Sequence, residues 1–165
     1  MKQYIVSDNM FDIKLIDDTD KIVEHIAPLC KNSGFQEVEV TPAIIKRYKY
    51  FGTDIGSIIA FKKDSPAGFI VYFKGKKHLY MLSLFVKEAE RRQGLATLLL
   101  NKLEEIAKDK NKDELRWKMS KDNETAVEFY NKIGYSSREE DKRNKNKWIY
   151  KRFLNEGKNI KNYTG

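Results

Sequence analysis

The chain has 165 residues, 41% of them hydrophobic and 12% aromatic, which suits one folded domain with a real core and excludes a disordered chain. No apolar run approaches the roughly 20 residues that cross a bilayer. The opening MKQYIVSDNMFDIKL lacks the unbroken apolar core of a secretory signal, and a lone Cys30 excludes an intrachain disulfide, so the cytoplasm is the expected location. The net charge of +8 admits nucleic acid, an anionic surface or an acidic ligand as partner without choosing among them.

"FDIKLID", 11–17, alternates as an opening strand. A helix follows near 20–32, with Asp or Thr as cap and Gly34 as stop. Thr41 and Pro42 are placed as N-cap and first helical residue of a second, short helix that ends at Gly52. "SIIAFKKDSPAGFIVYFKGKKHLYMLSLFV" then gives three apolar runs parted by the turn signals Asp64-Ser65-Pro66 and Lys74-Gly75-Lys76, an antiparallel meander. Its last run, "LYMLSLFV" at 79–86, is apolar on both parities except at Ser83, which predicts a central strand covered on both faces.

A helix starts directly after that strand, its stripe carried by Leu95, Leu98, Leu99, Leu103 and Ile106. "ELRWKMS", 114–120, alternates with Leu115, Trp117 and Met119 on one face. "NETAVEFYNKIG" is a further helix, capped at Asp122 or Asn123 and stopped by Gly134, and "KWIYKRFL", 147–154, closes the sheet. The order β-α-α-β-β-β-α-β-α-β is a mixed α/β domain over 1–155, with room for one more short strand near 135–140 and a loose basic tail at 156–165. The sequon at Asn162 carries no weight without secretion.

The helix at Leu95 has the wrong front end for a purely structural element. Arg91 and Arg92 stand where the helix dipole favours acids, and Gly94 stands where a capping side chain would satisfy the first N–H groups. Strand, glycine, open helix start and cations together describe an anion cradle, because converging backbone N–H groups and the dipole both favour negative charge. Neither a P-loop nor a GxGxxG motif is present.

These residues resemble a known family. Arg91-Arg92-Gln93-Gly94-Leu95-Ala96 fits the Q/R-x-x-G-x-G/A signature of the GNAT superfamily of acetyl-coenzyme A-dependent N-acetyltransferases. "NETAVEFYNKIGY", 123–135, is similar to that family's N-x-x-A-x-x-F-Y-x-x-x-G-F/Y helix, in the same register. The likeness covers roughly residues 79–154 and is nearest to the diamine acetyltransferases and other small-amine enzymes. Where those enzymes carry two acids on the strand, this chain has Leu82 and Ser83, and a later acid of theirs falls near Lys142, which argues against a polycationic acceptor.

The resemblance implies the GNAT fold and transfer of an acetyl group from acetyl-coenzyme A to a primary amine of a small or amino-acid-like acceptor, in a ternary complex. It places Leu84, Phe85 and Val86 beside the pantetheine arm, with one N–H facing the acetyl oxygen. Backbone amides of Arg92, Gln93, Gly94, Leu95, Ala96 and Thr97 fall on the diphosphate, with the Arg91 and Arg92 charges as partners, and Asn123 and Ala126 fall along the arm near its thiol. Tyr130 falls on the family's general acid, a phenol protonated at neutral pH. Ser83 and Trp117 are candidate acceptor contacts. The base that takes the amine proton is open among Ser83, a water chain and Glu88.

Neither His25 nor His78 has metal-ligand spacing, and no metal is expected. Cys30 is read as a packing residue. The family implies a homodimer, with "KWIYKRFL" placed to pair or exchange between subunits. No nucleic acid or membrane partner is expected. The alternatives are acetylation of a protein or peptide amine, a coenzyme A-binding regulator without turnover, and a basic nucleic-acid-binding module using Tyr48, Tyr50, Phe51, Trp148 and Tyr150 among its lysines.

Overall fold

Asp18 does what an acid before an amphipathic run is expected to do. Its Oδ1 accepts from the backbone N–H of Asp20 at 3.0 Å and of Lys21 at 3.1 Å, and so caps α1 (Thr19–Asn32). The computed structural model describes residues 3–5, 10–32, 42–50 and 52–154, so the Thr41 cap, the sequon and the tail at 156–165 lie outside the described residues. The chain forms two compact units, Met1–Lys74 with Met81–Leu103, and Gly75–Tyr80 with Glu104–Gly165.

In the first unit β1 (Gln3–Ile5), β2 (Asp12–Ile16), β3 (Ile55–Lys62) and β4 (Ser65–Lys74) are successive antiparallel neighbours. The second half of β5 (His78–Val86) follows β4 in the sheet order. Ile22, Ile26 and Leu29 of α1 and Ile45 of α2 (Pro42–Tyr50) pack with Ile16, Ile55, Ile59, Phe61, Phe69, Val71 and Phe85 in one buried cluster. Each such side chain contributes about 1.5–3 kcal/mol on burial. Cys30 packs partly buried against the same cluster, as its place on the apolar stripe of α1 predicts.

β5 departs from the expectation of two covered faces. Leu79, Met81 and Phe85 are buried, while Tyr80, Leu82, Leu84 and Val86 are half-buried. β3 is the strand buried continuously, from Ile55 to Phe61. An apolar run reports affinity for a dry neighbour, not how many faces receive one. The helix after β5 is α3 (Leu95–Asp109).

The β3–β4 turn also differs from its predicted place. Lys62 pairs with Ser65, and the two central residues are Lys63 (φ 49°) and Asp64 (φ 64°), both left-handed as the twist of a two-residue hairpin demands. Pro66 already lies in β4, at a bulge where Phe61 pairs with Pro66 and Ala60 with Gly68, leaving Ala67 as the extra residue. The Ala67 carbonyl accepts from the Lys87 N–H at 2.8 Å.

Gly68 then meets the end of β5 so closely that a Cβ would lie 2.8 Å from the Phe85 carbonyl oxygen, 3.3 Å from Leu95 Cδ2 and 3.4 Å from Val86 Cα. Gly68→Ala is therefore expected to lower stability by about 1–3 kcal/mol, because the nearest obstacle is main chain. A shift of the denaturant midpoint with unchanged slope measures it.

In the second unit His78, Leu79 and Tyr80 of β5 pair in parallel with Glu114, Leu115 and Arg116 of β6 (Glu114–Ser120). β6 also pairs antiparallel with β8 (Lys147–Phe153), which pairs on its other side with the short β7 (Arg138–Glu140). β7 is the extra strand expected near 135–140. The last strand is thus inserted between two others, and it is not the strand that closes the edge. Leu115, Trp117 and Met119 are buried and Arg116 and Lys118 half-buried, as the alternation predicts. Lys118 Nζ pairs with the buried Asp141 carboxylate at 2.9 Å, and with the backbone N–H of Arg143 this bond holds that carboxyl below its ordinary range. Among the described residues no helix is long and apolar enough to cross a membrane.

Candidate active site

The first unit carries the turn before α3 that the sequence analysis reads as an anion cradle. After a short 3-10 turn (Glu88–Glu90), Arg91 is extended at φ −74°, ψ 163°, Arg92 is left-handed at φ 63° and Gly94 at φ 78°. The Gly94 carbonyl accepts the first bond of α3, from the Leu98 N–H at 3.0 Å. The N–H groups of Leu95, Ala96 and Thr97 therefore precede any intrahelical bond and point out of the helix start, where the dipole adds positive potential. A Cβ built on Gly94 meets nothing within 4 Å. Residues 91–94 are exposed, so the turn is open to solvent on the side of Gly94. Unbonded N–H groups at a helix start beside two exposed arginines are donors and charges of the kind a diphosphate needs.

The side chains near the cradle divide their work. Arg91 Nε donates to the Val86 carbonyl at 3.0 Å, tying the loop to the end of β5. This is a structural bond that the sequence reading, which gave Arg91 only an anion, did not contain. Arg92 is exposed on the same loop. Gln93 Nε2 lies 3.4 Å from Glu90 Oε2, whose charge is balanced by Lys62 Nζ at 3.0 Å, so this half-buried acid near the turn is neutralised. Leu95 is buried, and Ala96 and Thr97 are half-buried on the first turn. Ser83, Leu84 and Val86 are half-buried on β5, with Phe85 buried in the core cluster.

The second unit holds the other candidates. Asn123 caps α4 (Glu124–Lys132), its side chain accepting from the Ala126 N–H at 3.2 Å, so both residues sit on the helix's first turn and half-buried. Tyr130 is 5% exposed, and burial first, then Tyr150, pushes its phenol well above the ordinary tyrosine value, which keeps it protonated. Trp117, read as an acceptor contact, is 3% exposed and packed among rings; it presents no face to solvent. Glu88 is exposed in the 3-10 turn.

Two contributions escaped the sequence reading. Gly68 and the bulge at Ala67 fix the end of β5 against the start of α3, and a glycine inside a strand run is the signal that points to such an approach. Tyr150, opposite Trp117 in the β6–β8 register, completes the packing around Tyr130. Nothing local in "KWIYKRFL" names its partner strand.

Comparison with known proteins bears on the family and the fold. Residues 21–135 match the model of the acetyltransferase (GNAT) family. The thialysine N-epsilon-acetyltransferase of Caenorhabditis elegans is 27% identical over 124 residues, covering 72% of this chain and 78% of that protein. The solved acetyltransferase from Thermus thermophilus superposes with a TM-score of 0.67 at 16% identity, covering 86% of this chain and 96% of its own. The PaiA N-acetyltransferase from Thermoplasma acidophilum, solved with coenzyme A, superposes with a TM-score of 0.60 at 18% identity, covering 86% and 98%. Motif, fold and family model coincide on the same segment: the chain belongs to the GNAT acetyltransferase family.

Proposed function

We propose that the protein moves an acetyl group from acetyl-coenzyme A to a primary amine of a small, amino-acid-like acceptor, by direct attack in a ternary complex. The observation that carries this reading is the open start of α3, left-handed at Gly94 with space where a Cβ would stand. The amides of Arg92, Gln93, Gly94, Leu95, Ala96 and Thr97 receive the diphosphate, and the Arg91 and Arg92 charges balance it. Main-chain groups of Leu84, Phe85 and Val86 align the pantetheine arm, and Asn123 and Ala126 border it near the thiol. When bound, the thioester supplies an electrophilic carbonyl and a thiolate leaving group. An N–H of β5 facing the acyl oxygen stabilises the charge that develops there, a donor whose loss costs about 100- to 1000-fold. Tyr130 gives its phenolic proton to the departing thiolate.

Ser83, half-buried on β5, remains the acceptor-side candidate, whereas Trp117, 3% exposed among packed rings, is too enclosed to touch an acceptor. β5 has no carboxylate. The amine's own deprotonation, passed to water or Ser83, then sets the rising limb of the pH profile. The acceptor class is supported by the name of the C. elegans relative, an enzyme of an amino-acid amine. Leu82 and Ser83 leave the strand without charge to attract a polyamine.

Thiol release from acetyl-coenzyme A, followed across amino acids, polyamines, aminosugars and peptides, tests this. Release with lysine-like amino acids above polyamines is expected. Preference for peptides moves the acceptor to a protein amine. Coenzyme A binding without release from any acceptor makes the chain a regulator, and salt-sensitive binding of single-stranded DNA without coenzyme A binding makes it a nucleic-acid module.

A further inference from the structure

The second unit contains a packed ring cluster whose centre takes no necessary part in the transfer as proposed. Trp117 lies 5.0 Å from the Tyr130 ring, 5.9 Å from Tyr135 and 5.3 Å from Tyr150, nearly parallel to the last at 12°. The three tyrosines are not held alike. The Tyr135 hydroxyl donates to Glu104 Oε1 at 2.7 Å, and that oxygen also accepts from Arg152 Nε at 2.9 Å. The Tyr150 hydroxyl accepts from Arg138 Nη1 at 3.0 Å. Both rings are pegged at their polar ends. The Tyr130 hydroxyl has no hydrogen-bond partner among the described residues, so its direction is set by ring packing alone: Trp117, Tyr150 at 5.6 Å and Phe129 edge-on at 5.2 Å.

Trp117 is unusual in a second respect. Its Nε1 is buried without an acceptor among the described residues. An indole N–H can only donate, and a buried donor without a partner is destabilising. A smaller aromatic residue would pack here without that cost, so what the indole offers at this position is the breadth of its face, which reaches all three tyrosines.

We propose that Trp117 is a positioning residue for Tyr130, its indole face fixing the tilt of the phenol so that the hydroxyl stays aimed at the thiol. The proposal rests on Tyr130 being the proton donor. It changes the part first given to Trp117 from touching the acceptor to acting through another ring. The upward displacement of the Tyr130 phenol by burial is in keeping with it, since the indole supplies part of that dry wall.

The test compares Trp117→Phe and Tyr130→Phe with wild type, reading kcat, KM for acetyl-coenzyme A, the alkaline limb of kcat and melting temperature. A titration of the protein carrying tyrosine labelled with carbon-13 at Cζ reads the phenols directly. Trp117→Phe is expected to melt within about 4 °C of wild type, since the lost packing is offset by removal of the unpartnered N–H. Its KM should stay within about twofold while kcat falls about 10- to 100-fold. The Tyr130 phenol and the alkaline limb should both move to lower pH. If Trp117→Phe does not fold, Trp117→Met fills the space without a ring face and should show the same shifts. Unchanged kcat and an unmoved phenol in a folded Trp117 variant, with Tyr130→Phe inactive, overturn the positioning role alone. Wild-type turnover in Tyr130→Phe instead removes the proton donor, and the proposal falls with it.

Discussion

Tyr130→Phe is expected to lower kcat at neutral pH by about 100- to 10,000-fold, the usual span for a positioned general acid. The substitution is clean because of how the side chain is held. Its ring contacts with Trp117, Tyr150 and Phe129 remain available to phenylalanine, and the hydroxyl it loses has no partner among the described residues. Melting temperature and KM for acetyl-coenzyme A should therefore stay near wild type, and the loss is chemical. The pH dependence carries a sign. Burial raises the phenol above its ordinary value of about 10 by disfavouring the phenolate, so the donor form persists through neutral and mildly alkaline pH. The rate in wild type is then expected to hold its plateau beyond the ordinary tyrosine range before it falls. A decline that begins well below that range assigns the limb to another group.

Gly94→Val is expected to raise KM for acetyl-coenzyme A by about 10- to 100-fold for each charge-assisted bond to the diphosphate that it displaces, such a bond contributing about 1.5–3 kcal/mol. Two separate effects meet at this residue. At φ 78° any L side chain is strained, by about 1–2 kcal/mol, and a β-branched one more. That part appears in stability. The other part appears only in binding: the space a Cβ would take is empty, and in the proposed function the diphosphate passes there to the N–H groups of Leu95, Ala96 and Thr97. Gly94→Ala should show the stability loss with a smaller change in KM. Gly68→Ala acts instead on the end of β5, through the Phe85 carbonyl and Val86.

The residues that met the solvent or a local partner were the ones the sequence could name. α3 was legible because an apolar stripe began after a glycine with two arginines ahead of it, and α4 because Asn123 and Gly134 bracket its run as cap and stop. What could not be read was set by distant pairing. Nothing in 147–153 says that it inserts between β6 and β7, and the three residues of β1 are too few to show a period. The turn at Lys63 and Asp64 was misplaced because neither is glycine or asparagine, so the Asp64-Ser65-Pro66 signal outweighed it. At the site, the spacing located Tyr130 on its helix but not the rings around it, and it placed Arg91 at the loop but not its bond to the Val86 carbonyl.

A calorimetric titration of coenzyme A and of pantetheine, each against wild type and Gly94→Val, isolates what the turn before α3 contributes. Much tighter binding of coenzyme A than of pantetheine by wild type, and near-equal weak binding of both by the folded variant, is the outcome this account predicts. Equal affinity of wild type for the two compounds, or undiminished coenzyme A affinity in the variant, would mean that this turn holds no diphosphate.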